Sequence, residues 1–220
     1  MYHQIKAVIF HMDGVIFDTE KAVIEVWKEV AKKHGIPDIE SFCKECIGTN
    51  AVMTKNIFLR KYGDKYSYED IRAEKSGIVR ERFKRGEIDT KPGAFEILKT
   101  LKDNNIKIAL ASSTREEAVR EELTIAGLIE YFDEIVTGDM VENSKPAPDI
   151  FLKACMKLNV KPEEAVGIED SFNGIRSCRS AGLYTIMVPD LLLPDGEMKN
   201  LADKILPDLN EVLKVILTMV

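Results

Sequence analysis

Apolar and polar positions along the chain follow two regimes, divided near residue 90. Ile5-Lys6-Ala7-Val8-Ile9-Phe10 is a short β-branched apolar run, the pattern of a strand buried on both faces. Asp13-Gly14, just beyond it, signals a turn. From 20 to 34 the apolar residues Val23, Val26, Trp27, Val30 and Ala31 recur at helical spacing, and Gly35-Ile36-Pro37 ends that helix. From there to about Glu87 the chain reads as helices and loops, no segment reads as a strand, and charge is densest. Beyond Lys91-Pro92-Gly93 the period alternates. Strands are predicted over 106–111, 134–137, 165–168 and 184–188, and helices over 116–126, 149–158, 173–181 and 209–217. Continuous apolar strands alternating with helices specify a parallel sheet covered on both faces. The first strand is cut off from the others by about seventy helical residues, so the economical architecture is a doubly wound α/β core with a helical insertion. Connections near Asp18 and Asp89 then act as hinges.

Composition narrows the class without changing this picture. Among 220 residues, 45% are hydrophobic and 31% charged, which excludes disorder as the dominant state. No apolar run approaches the ~18 residues of a membrane span, and Met1-Tyr2-His3-Gln4-Ile5-Lys6 lacks the pattern of a signal peptide. A cytoplasmic location and no membrane partner are expected. The net charge of −6 argues against a general nucleic-acid binder. The most basic run, Arg80 to Arg85, is interrupted by Glu81 and reads as a solvated helix face. Cys43 and Cys46 have C-x-x-C spacing but no second pair, and Cys155 and Cys178 are isolated on apolar helix faces. All four are expected to be free, without a metal or redox role.

In open α/β sheets ligands bind beyond the carboxyl ends of the strands, so chemistry is to be sought in the residues that follow each strand. After the first come His11-Met12-Asp13-Gly14 and Asp18-Thr19-Glu20; after the second, Ser112-Ser113-Thr114. The next connection carries Ser144-Lys145-Pro146-Ala147-Pro148-Asp149, and the strand after it ends in Glu169-Asp170-Ser171. Taken singly, each is an ordinary turn or helix cap. Together at one sheet edge they suit phosphoryl transfer, which needs an oxygen nucleophile, an acid/base for the leaving group and positive charge around the phosphoryl oxygens. Lys145 and a Mg²⁺ held by oxygen ligands would provide that charge.

Phe10-x-Met12-Asp13-Gly14-Val15 with Asp18-Thr19-Glu20, Lys145-Pro146-Ala147-Pro148-Asp149 and Gly167-Ile168-Glu169-Asp170-Ser171 resemble the motifs of the haloacid dehalogenase superfamily. The closest resemblance is to the branch of β-phosphoglucomutase and small phosphosugar phosphatases. The resemblance implies a Rossmann-like core, residues 1–16 and 89–220, with a helical cap domain over 17–88 that opens and closes. It also implies Asp13 as general acid/base with its carbonyl on Mg²⁺, and Ser112 with Ser113 on the phosphoryl group. Lys145 would neutralise that group, and Asp13, Glu169 and Asp170 would form the metal site. The expected partner is a small phosphorylated metabolite, and the chain is expected to be a monomer.

One departure dominates. The position two before Asp13, an aspartate nucleophile and Mg²⁺ ligand in the family, is His11. Imidazole carries no negative charge and suits Mg²⁺ poorly, so the expectation is a phosphatase impaired in this form, with weak or absent Mg²⁺ binding unless His11 is reverted to Asp. Between Asp13, Glu169 and Asp170, His11 is expected to have a raised pKa and to sit against Asp170 as a cation in place of the metal. A second departure concerns the substrate. A gapless count puts Val23 and Ala51 where the mutases carry His and Arg, which favours a phosphatase over a mutase. Lys75 on the cap is a candidate contact for an anionic substrate. The competing readings are a catalytically inactive phospho-ligand-binding protein and a phosphosugar mutase.

Overall fold

The computed structural model describes residues 4–47, 49 and 51–219. Strand β1 (Ala7–Phe10) is followed by helices α1 (Thr19–His34), α2 (Ile39–Cys46), α3 (Ala51–Tyr62) and α4 (Tyr68–Lys84). Helix α5 (Ala94–Asp103) leads back into alternation: β2 (Lys107–Ser112), α6 (Glu116–Ile125), β3 (Glu134–Thr137), α7 (Asp149–Leu158), β4 (Ala165–Glu169), α8 (Phe172–Ala181) and β5 (Tyr184–Met187). The chain closes through α9 (Gly196–Leu201), β6 (Lys204–Ile205) and α10 (Leu209–Ile216). The strands form one parallel sheet in the order β3-β2-β1-β4-β5-β6. This is the doubly wound, Rossmann-like α/β fold, in which β1 lies at the reversal of strand order.

Every residue of β1 is fully buried, and its side chains divide between the two faces as period 2 requires. Val8 and Phe10 join the cluster that includes Leu98 and Leu101 of α5, while Ala7 and Ile9 join the one built with Ile150, Phe151 and Ala154 of α7. The predicted strands and helices of the core are present within a residue or two. Helices α5 and α9 and the two-residue β6 complete it.

The segment between β1 and α5 contains no named strand among its described residues. Its helices pack around an aromatic group in which Trp27 and Phe58 flank Phe42, with ring centroids 5.0 and 5.5 Å from Phe42. Tyr62 and Tyr68 stack on Phe58 at 4.8 and 5.2 Å. The two connections to the core run side by side: Asp18 N donates to Asp89 O at 2.9 Å, and Lys91 N to Ile16 O at 2.8 Å. Lys91 Nζ then joins Asp18 (3.0 Å) to Asp190 beyond β5 (2.7 Å). Phe17 meets Phe83 edge-on at 5.1 Å, carrying the apolar core from one part into the other.

The run from Arg80 to Arg85 is more than a solvated face. Arg80 pairs with Glu121 on α6, Lys84 lies 3.8 Å from the same carboxylate, and Arg82 bonds Glu25 (3.1 Å) and Glu29 (3.2 Å) on α1. Period alone does not reveal these partners, because they lie on other helices. All four cysteines are free, as expected.

Candidate active site

The carboxyl ends of β1, β2 and β4 bring the predicted residues together. His11 N still donates to Ile168 O at 2.9 Å, so the loop leaves directly from the sheet edge. Met12 O accepts from Ile16 N at 2.8 Å and Phe17 N at 3.1 Å, a tight turn that holds Asp13 on the rim. Gly14 has φ +77°, and a Cβ there would collide with the Asp170 carboxylate. Glycine is therefore needed both for the left-handed backbone and for the close approach.

Lys145, from the loop before α7, is 6% exposed. Its Nζ donates to Glu169 Oε1 at 2.5 Å and to Ala111 O at 3.1 Å, and lies 3.0 Å from His11 Nδ1. Glu169 is fully buried, and its Oε2 accepts from Asp170 N (3.1 Å), Ser171 N (3.2 Å) and Ser171 Oγ (3.0 Å). Both carboxylate oxygens are thus committed. Burial works to raise the Glu169 pKa, but the facing His11 and Lys145 and the hydrogen bonds outweigh it and hold the carboxyl down at about 2.

His11 Nδ1 lies 3.0 Å from Ala111 O and 3.0 Å from Lys145 Nζ. An ammonium has donors and no acceptor, so its contact with Nδ1 is favourable when Nδ1 presents its lone pair and Nε2 carries the proton. The charge-assisted contact is the stronger of the two. Burial lowers the His11 pKa, Lys145 adds to the shift, and Glu169 and Asp13 oppose it without prevailing. The expected cation against Asp170 is therefore corrected. His11 turns Nδ1 toward Lys145, its pKa is depressed, and the cation beside Glu169 is Lys145.

His11, Glu169 and Asp170 each place a donor atom within 4.8 Å of the others. Asp170 is buried with Oδ1 lacking any partner, and burial, then the nearby Glu169 and Glu20, push its pKa well up. An orphaned carboxylate oxygen of this kind suits a hard cation such as Mg²⁺. The fit is partial, since Glu169 is occupied and His11 offers nitrogen where a carboxylate would strengthen the site.

Above this edge lies a cavity of about 910 Å³ between the sheet and the helical insert. His11, Asp13, Lys145 and Asp170 form its floor. Ser112 is fully buried and its Oγ accepts from Thr114 N at 3.1 Å; Ser113 and Thr114 line the wall at this point. Thr114 Oγ1 points to Asp13 Oδ2 at 3.4 Å. Lys75 of α4 faces the cavity, as expected of a cap contact, and burial lowers its pKa. Val23 and Ala51 lie in the wall too. Glu20, Arg72 and Glu122 also face the cavity; Glu20 belongs to the motif after the first strand, while Arg72 and Glu122 carry no signal in the sequence, where each is one more charge on a helix. Burial, then Asp13, raises Glu20 to about 7 and Glu122 to about 8.

A sheet of this order, interrupted after β1 by helices that roof a cluster of acids and a lysine, is a doubly wound α/β fold with a helical insert over its strand ends. The chain belongs to the haloacid dehalogenase-like hydrolase family, whose model matches residues 8–188. It is 36% identical over 196 residues to the phosphorylated carbohydrates phosphatase of Thermotoga maritima, covering 87% of this chain and 88% of that protein. With the β-phosphoglucomutase of Bacillus subtilis it shares 33% identity over 191 residues, covering 83% of each. The crystal structure of CbbY from Rhodobacter sphaeroides in complex with phosphate superposes with a TM-score of 0.82 at 30% identity, over 94% of this chain and 96% of that one.

Proposed function

We propose that this chain binds a small phosphorylated carbohydrate between cap and core, with the phosphoryl group at the strand ends, and that His11 makes it a severely impaired phosphatase. The observation that carries the reading is the buried Lys145, fixed by Glu169 at 2.5 Å and aimed at the position from which a nucleophile would act. Lys145 would neutralise phosphoryl oxygens, while Ser113 and Thr114, with the backbone N–H groups of their loop, would orient them. Asp13 stands on the rim to give a proton to the leaving oxygen and later to take one from water. Mg²⁺, held by Asp170 and Asp13, would supply further positive charge at those oxygens, and its binding is weak with His11 in place.

His11 blocks the nucleophilic step for a definite reason. In the tautomer whose Nδ1 accepts from Lys145 at 3.0 Å, Nε2 carries the proton and can donate to a phosphoryl oxygen, but it has no electron pair for phosphorus. The same geometry favours the second reading, a phospho-ligand-binding protein without turnover. The relatives named for phosphorylated carbohydrates and β-phosphoglucose support the ligand class. Val23 and Ala51 in the cavity wall favour hydrolysis over mutase chemistry, since neither holds a second phosphate.

The test is thermal denaturation of the protein as given with inorganic phosphate, a panel of hexose and pentose phosphates, and the matching free sugars. Sugar phosphates should raise the melting temperature and free sugars should not. A panel in which no phosphorylated compound shifts the melt would overturn the reading.

A further inference from the structure

Neighbouring acids on α6 are used differently. Glu121 accepts Arg80 from α4 and lies 3.8 Å from Lys84, holding the insert against the core. Glu122, one residue on and turned by about 100° around the helix, takes no part in this contact. It lines the cavity, and its side chain has no hydrogen bond or ion pair among the described residues. Opposite it, Lys75 and Arg72 of α4 line the same cavity, equally without such a partner, as does Glu20 from the first turn of α1. Other charged groups of the wall are engaged: Glu69 with Lys55 at 2.6 Å, and Arg80 with Glu121. Arg72, Lys75 and Arg115 thus share the cavity with Glu20 and Glu122, none of the five holding a side-chain partner among the described residues.

This mixture of donors and acceptors says what the upper half of the cavity can hold. A second phosphate would meet Arg72 and Lys75, but also the carboxyl groups of Glu20 and Glu122. A neutral hydroxyl suits both kinds of group, because it donates to a carboxylate and accepts from an ammonium or guanidinium. Thr19 Oγ1, 2% exposed and without a partner, lines the same cavity beside Glu20 and adds an atom that a ligand hydroxyl would satisfy. Val23, Ile24, Trp27 and Ile47 supply an apolar stretch of wall, against which the C–H face of a sugar or polyol can pack.

We propose that Glu122 is a specificity-determining residue that hydrogen-bonds a hydroxyl of the leaving group, so that the cavity selects phosphates whose leaving group carries hydroxyls. The proposal rests on the reading of the floor as a phosphoryl site and extends it to the opposite end of the ligand. Glu122 acts on the hydroxylated end of the substrate and leaves the phosphoryl end to Lys145.

The test compares two probes on the protein as given, E122L and E122Q, by calorimetry: glucose 6-phosphate, which carries hydroxyls, and methyl phosphate, which carries none. E122L should weaken glucose 6-phosphate about tenfold, the scale of one hydrogen bond to a charged or polar partner, and leave methyl phosphate within about twofold. E122Q keeps an acceptor and a donor and should stay within about threefold for both probes. Equal losses for both probes in E122L would show a structural role and overturn the proposal, as would an unchanged preference. If methyl phosphate binds the parent protein and the preference does not move, the phosphoryl site stands and Glu122 falls. If neither probe binds the parent, the phosphoryl reading and the proposal fall together. A single cooperative melt of each variant, well above the assay temperature, confirms that the comparison is between folded proteins.

Discussion

Lys145→Met removes the ammonium from beneath the candidate phosphoryl site while keeping an unbranched apolar stem to pack near the Phe151 ring, which lies 5.1 Å from Nζ. Its partner Glu169 is fully buried, and the lysine itself is 6% exposed. Breaking such a pair by removing one member leaves a buried charge uncompensated and costs about 3–5 kcal/mol. In a chain of this size each kcal/mol shifts the melting temperature by about 2–4 °C, so a fall of about 6–20 °C is expected. Glu169, held at about 2 in the parent, contributes stability that is present above the ordinary carboxylate pKa and is lost as pH falls toward 2. Without Lys145 its protonation becomes favourable, so the gap between mutant and parent should narrow on going from about pH 8 to about pH 5. Lys145→Met/Glu169→Gln should regain at least about half of the loss, since the pair is removed as a unit. Calorimetric melts of the three proteins at the two pH values make the comparison. A Lys145→Met protein melting within about 2 °C of the parent would refute the argument that this pair is buried and mutually dependent.

The insert should open with salt. Arg80 and Lys84 hold it to Glu117 and Glu121 through half-exposed pairs, each worth about 0.2–1 kcal/mol and screened by ions. Fluorescence transfer between labels on α3 and α7 should show the open fraction rising about two- to fivefold between 0.05 and 0.5 M salt, and Arg80→Ala should give the same rise at low salt; a salt-insensitive signal would count against an electrostatic closure. Stability should also fall on the alkaline side. Glu20 and Glu122 are raised to about 7 and about 8, so the folded state holds protons that the unfolded chain releases, and the contribution present below the ordinary carboxylate pKa is lost as pH rises through these values. Melts between about pH 5.5 and 9 should show this decline, and E20Q with E122Q should flatten it; a decline unaltered in that double variant would place its origin elsewhere.

Much of the fold was legible because its signals are local. Ala7–Phe10 is an uninterrupted apolar strand, Ile135-Val136 and Ala165–Ile168 are the apolar stretches of two more, and glycine stands after α1 and α8 with φ +66° and +83°. The floor of the site was legible for the same reason: the end of each strand is itself a point in sequence. Lys204–Ile205 was not, since a two-residue strand carries no period and exists through pairing with β5. Nor were Arg72 and Glu122. A charged residue on a helix faces solvent by default, and which residue of Glu121 and Glu122 meets Arg80 and which meets the cavity depends on how α4 lies on α6. For His11 the expected rise in pKa is reversed. Counting acids near it in sequence omitted Lys145, 134 residues away and 3.0 Å from its Nδ1.

The central claim is that an intact phosphoryl site has lost its nucleophile at one position. The direct measurement is steady-state hydrolysis of phosphorylated carbohydrates with Mg²⁺ near pH 7, run side by side on the protein as given and on His11→Asp. Restoring a carboxylate beside Asp170 supplies both the attacking oxygen and a metal ligand, so kcat should rise by about a thousandfold or more, the scale on which nucleophile removal is felt. Equal turnover by the two proteins would contradict the account and make His11 itself the attacking group.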